Sequence, residues 1–165
     1  MKKIVIIGAN SYLARNLIYV INKQNIDCQL ELYGRSKQHI DGEKNYTCID
    51  VLNRESVKRI DFDCDIIYFF VGKTGSANPF QEYETFIDVN EKALLNVMSE
   101  YVEQKSTAKL VFPSTRLIYE GNAGILKEED TKAYKSIYAI NKHACERYIQ
   151  LYHEMFNLQF LIFRI

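Results

Sequence analysis

IVIIGANSYLARNL (4–17) joins a short β-branched run to a stretch with apolar residues at helical spacing, and a glycine stands between them. The run has the length and branching of a buried strand. After it, Leu13, Leu17, Ile18 and Ile21 share one helical face, which predicts a helix over 11–24. Gly8, Ser11 and Ala14 stand three apart across the junction. A dinucleotide-binding turn needs small residues at such positions. The backbone must turn tightly, approach the pyrophosphate and then pack a helix against the strand. The helix N-terminus supplies N–H groups and partial positive charge to a phosphate. Gly8 meets the first need and Ala14 the last, while Ser11 takes the middle position with a hydroxyl that can donate a hydrogen bond. Gly8, Asn10, Ser11, Tyr12 and Leu13 are therefore the candidate cofactor-binding residues of this turn.

Outward from the turn, strand and helix patterns alternate. Strands are predicted over 28–33, 46–49, 65–71, 109–113 and 159–165, and helices over 54–60, 81–104 and 131–157. Asp130 or Thr131 can cap the last helix. Unbroken apolar strands such as IIYFFV (66–71) belong to parallel sheets covered on both faces. The expected fold is α/β: one Rossmann-type doubly wound parallel sheet over 1–165, ending after about the sixth strand.

Composition excludes other classes. The chain has no net charge, and its lysines and arginines are scattered, so it offers no nucleic-acid surface. Its longest apolar run is too short to cross a membrane. Cys28, Cys48, Cys64 and Cys145 are far apart and show no metal-ligand spacing with one another or with His39, His143 and His153. Free thiols in a cytoplasmic protein without a metal are expected.

Tyrosine and lysine four apart share a helical face, the arrangement that suits a tyrosine acid/base beside a cation. The chain has four such pairs: Tyr19/Lys23, Tyr33/Lys37, Tyr101/Lys105 and Tyr138/Lys142. Only the last lies in a long predicted helix preceded by a strand-end Ser/Thr turn, LVFPSTRLIYEG (110–121). With the first turn, that turn, YAINK (138–142) and FLIFRI (160–165), the whole chain resembles the extended short-chain dehydrogenase/reductase family, which includes nucleotide-sugar epimerases, dehydratases and reductases.

The resemblance implies roles. Thr115 falls on the catalytic Ser/Thr position, with Ser114 the adjacent alternative and Tyr119 on the tyrosine of that turn. Tyr138 would exchange a proton with a sugar oxygen, and Lys142 would favour its phenolate and hold the nicotinamide ribose. Asp50 and Val51 match the pair that cradles the adenine; Phe69, Phe70 and Val71 match the strand end under the cofactor; Asn90 matches the family's helical asparagine. Lys73 matches a lysine seen in 4-epimerases. Where NAD enzymes place an acidic residue, ELYGRS (31–36) offers Arg35 and Ser36, which suit a 2′-phosphate. NADP is therefore favoured over NAD, and a 4-keto-sugar reductase stands beside an epimerase or dehydratase. Family members continue into a substrate domain, so a fragment holding the cofactor half is expected, with a nucleotide-sugar as partner and a homodimer through the two long helices. A non-catalytic NADP-binding sensor or scaffold is the alternative on the same fold.

Overall fold

The computed structural model describes residues 1–75, 79–121 and 125–165. Six parallel strands form one sheet in the order β3-β2-β1-β4-β5-β6. They are β1 (Lys2–Ile7), β2 (Cys28–Gly34), β3 (Tyr46–Cys48), β4 (Ile66–Phe69), β5 (Lys109–Ser114) and β6 (Gln159–Arg164). The expected doubly wound α/β fold is what forms. Strand order reverses at β1, whose Ile7 pairs with Tyr33 on one side and Phe69 on the other. A crevice opens at such a reversal, outside the carboxyl ends of the strands.

Alternation within each strand divides the core in two. Val5, Ile7, Phe69, Leu110 and Phe112 point to one face, packed by α4 (Ala93–Glu103) and α5 (Ile137–Phe156). Ile4, Ile6 and Leu32 point to the other, packed by Ala14, Ile18 and Ile21 of α1 (Tyr12–Lys23).

Three elements differ from the sequence reading. The helix predicted over 54–60 is the single α-turn α2 (Arg54–Val57), which tightens into i→i−3 bonds from the Arg59 and Ile60 N–H groups as the chain turns to bury Ile60 and Phe62. The helix over 81–104 is interrupted: α3 (Tyr83–Ile87) passes through a π-helical turn, Asp88–Lys92, into α4. The helix over 131–157 begins only at Ile137. Neither Asp130 nor Thr131 caps it; Ser136 does, its Oγ accepting from the Ala139 N–H at 3.1 Å. The preceding residues are used elsewhere, with Lys132 bridging to Tyr119 and the Thr131 carbonyl accepting from Glu120.

Candidate functional site

The crevice is built on Gly8. Its φ is +85°, and a Cβ there would lie 2.8 Å from the Phe70 carbonyl carbon and the Val71 nitrogen. Only glycine lets β1 turn this close to the end of β4. Ser11 then caps α1, its Oγ accepting from the Ala14 N–H at 3.3 Å. The first turn of α1 carries N–H groups with no intrahelical partner, the feature that makes a helix N-terminus an anion site.

Two cavities meet there, sharing Ser11, Phe70, Val71 and Gly72. The first, of about 460 Å³, collects Gly8, Asn10, Arg35, Ser36, Asp50, Val51 and Lys73. Asn10 braces its rim: Nδ2 donates to the Gln38 carbonyl at 3.1 Å, and Oδ1 accepts from the Ile40 N–H at 2.9 Å. Asp50 accepts from the Leu52 N–H at 3.0 Å. Lys73 pairs with Glu82 at 2.7 Å.

The second cavity, of about 410 Å³, collects Tyr12, Leu13, Ser114, Thr115, Tyr138 and Lys142. Most of the residues singled out in the sequence thus line one cavity or the other; Ala14, Phe69, Asn90 and Tyr119 line neither. Phe69 is wholly buried in the core. Asn90 is buried behind the wall, where its side chain clasps the Lys73 backbone, accepting from N–H at 2.8 Å and donating to the carbonyl at 3.0 Å. Asn90 lies within the π turn, and its own carbonyl accepts from the Cys145 thiol at 3.0 Å.

Lys142 is only 4% exposed. Its Nζ donates to the Pro113 carbonyl at 2.8 Å and sits 4.2 Å from the Phe112 ring centre and 6.0 Å from that of Tyr138. Burial pulls its pKa down to about 8. The sign follows: the fold disfavours the charged amine, so stability rises with pH between the folded value of about 8 and the unfolded value of 10.5. A Lys142→Met variant, apolar and similar in length, is therefore expected to be more stable at pH 7 by up to about 3 kcal/mol. Chemical denaturation at pH 7 and pH 10 measures it, and the gain should shrink at the higher pH. Burial likewise raises the Tyr138 phenol.

Beneath this cavity lies a network that sequence reasoning missed. Ser114 donates to Glu146, which is 2% exposed. Arg164 grips the same carboxylate through Nη2 at 2.7 Å and Nε at 3.1 Å, and its Nη1 donates to the Tyr119 hydroxyl. Burial alone pushes the Glu146 carboxyl up, but the bonds from Arg164 and Ser114 outweigh it and hold the group below its ordinary range. The one available signal was the placement of Glu146 one helical turn after Lys142.

The chain matches the model of the NAD dependent epimerase/dehydratase family over residues 4–165. It is 27% identical over 103 residues to an uncharacterized protein of Methanocaldococcus jannaschii, a span covering 61% of this chain and 31% of that one. Among solved structures, it superposes on UDP-glucose 4-epimerase from Thermus thermophilus in complex with NAD, with a TM-score of 0.83, 17% identity and coverage of 98% of this chain and 54% of that one. It superposes also on RMD from Pseudomonas aeruginosa complexed with NADPH, with a TM-score of 0.82, 15% identity and coverage of 99% and 54%. At these identities the likeness is one of fold. The chain spans about half the length of these two structures and about a third of the curated relative. Among the described residues, no helix is long and apolar enough to cross a membrane.

Proposed function

The chain belongs to the NAD dependent epimerase/dehydratase family, and from that premise we propose that it forms the cofactor-binding part of an NAD(P)-dependent nucleotide-sugar epimerase, dehydratase or 4-keto-sugar reductase. One observation carries this reading: Thr115, Tyr138 and Lys142 converge on a cavity that adjoins the Gly8 turn. A small-residue turn, a capped helix N-terminus and two adjoining cavities of about 460 and 410 Å³ support the fit to the cofactor. When bound, a nicotinamide dinucleotide accepts and returns a hydride.

The residues divide the remaining work. Tyr138 takes or gives the proton of the sugar oxygen. Its buried phenol resists ionisation, and the Lys142 ammonium opposes that resistance. Thr115 holds the sugar oxygen. Its Oγ1 accepts from the Leu117 N–H at 3.2 Å, which leaves its proton to donate into the cavity, whereas the Ser114 hydroxyl is committed to Glu146. That favours Thr115 over its neighbour. Arg35, which makes no ion pair among the described residues, and Ser36 take a 2′-phosphate, favouring NADP. Exposed Ile87 and Ile140, on the two long helical elements, support a homodimer.

Thermal unfolding of the chain with each dinucleotide tests the reading. A ligand at 100 times its dissociation constant adds about 2.7 kcal/mol. Stabilisation by NADP(H) above NAD(H) is the expected result. The reverse order would remove the role given to Arg35, and stabilisation by neither would remove the cofactor site.

A further inference from the structure

A dinucleotide with a free adenosine ribose is held in folds of this kind by a carboxylate at the end of the second strand. Here that strand ends in Gly34. The backbone does not demand glycine at this position: Gly8, Gly42 and Gly121 have positive φ, and Gly34 does not. The demand comes from a neighbour. A Cβ on Gly34 would lie 2.7 Å from the Tyr46 hydroxyl oxygen and 3.3 Å and 3.4 Å from two of its ring carbons.

Tyr46 is not free to swing aside. Its hydroxyl donates to the Ser36 carbonyl at 2.9 Å. Its ring lies against buried His39, with centroids 5.7 Å apart, and packs on the core under α1. Moving it would give up all three contacts. Cys48, at the other end of β3, adds a bond from Sγ to the Arg35 carbonyl at 3.5 Å. Thus β3 both fills the space beside Gly34 and fixes the backbone that presents Arg35 and Ser36 to the first cavity.

We propose that Tyr46 is a cofactor-specificity residue: it occupies the place of a strand-end carboxylate and holds the Arg35–Ser36 turn for a 2′-phosphate. The inference rests on the dinucleotide reading above. It assigns selectivity to a pair, Gly34 with Tyr46, rather than to Arg35 alone.

Direct binding of NADPH and NADH, followed by nicotinamide fluorescence on the 165-residue chain, tests it with four proteins. The unaltered chain should favour NADPH. Gly34→Asp alone should weaken NADPH without gaining NADH, because the new side chain meets Tyr46. Gly34→Asp with Tyr46→Thr, a residue that suits a strand, should gain about tenfold or more for NADH, the worth of a charged hydrogen bond to the ribose. Tyr46→Phe, which keeps the ring, should lose affinity for NADPH a few-fold with NADH unchanged. Gain of NADH by Gly34→Asp alone, equal to that of the double variant, would overturn the proposal. So would unchanged NADPH affinity in Tyr46→Phe, a result that stands even if the double variant does not fold. Failure of the unaltered chain to bind either dinucleotide would instead overturn the cofactor reading on which the proposal rests.

Discussion

Tyr138→Phe is expected to lower turnover by about a hundred- to ten-thousand-fold while leaving NADP(H) binding intact. The substitution removes one oxygen and keeps the ring that packs at the start of α5. The cavity retains Thr115 and Lys142 and loses the hydroxyl to which the proposal gives the proton. Burial holds the phenol above its ordinary pKa, so the proposed proton transfer would depend on a cation to make the phenolate accessible near neutral pH. Single-turnover hydride transfer to a nucleotide-sugar, set beside dinucleotide affinity, separates the outcomes. Retained transfer would take the proton role from Tyr138. Loss of both transfer and binding would make the residue a wall of the site rather than its acid/base.

The second large effect concerns stability. Arg164→Met should destabilise the chain by about 3–5 kcal/mol, because it leaves the Glu146 carboxylate buried without its cation. The pair does more than join two side chains. Arg164 lies on β6, opposite Ser114 of β5, Glu146 lies on α5, and Tyr119 follows the Ser/Thr turn. The network therefore ties together the three segments that carry Ser114, Thr115 and Tyr138. Urea denaturation across pH gives a second readout. In the unaltered chain, Glu146 titrates below its ordinary value, so its contribution is full above that value and fades as pH falls through the depressed one. In Arg164→Met, burial dominates and raises the carboxyl, so the deficit against the parent should narrow toward acid pH. Adding Glu146→Gln should restore part of the loss at neutral pH, since no charge is then stranded. A deficit independent of pH and of residue 146 would assign the effect to packing by the arginine stem.

These two predictions draw on parts of the sequence that were unequally legible. Tyr138 and Lys142 could be read because their relation is local, one turn of one helix, and because a strand-end Ser/Thr turn precedes them. Gly8 and Ser11 were readable for the same reason. The Glu146–Arg164 pair is a product of register: it exists because β6 lies beside β5 with Arg164 opposite Ser114, and nothing near either residue announces it. The Gly34–Tyr46 contact likewise depends on how β2 and β3 align. Helix boundaries failed where tertiary demands overrode local pattern. Residues 131–136 have helical spacing, but their backbone groups pair with the segment around Tyr119, and a better cap waits at Ser136. The π turn could not be read from periodicity, because a single added residue shifts the apolar stripe without breaking it.

That shift sets what kinds of genetic change the chain can absorb. The turn at Asp88–Lys92 takes five residues where an α-helix takes about four, and Phe86 before it and Leu94 after it are both buried. Deleting one codon there would keep the reading frame, permit an unbroken α-helix and leave the two halves in nearly the same phase. Phe86, now 2% exposed, and Leu94, wholly buried, would then both keep their places. At this point the protein is constrained by residue identity more than by residue count: loss of Asn90 would cost the hold on Lys73, whereas loss of a neighbour would be taken up by closing the π turn.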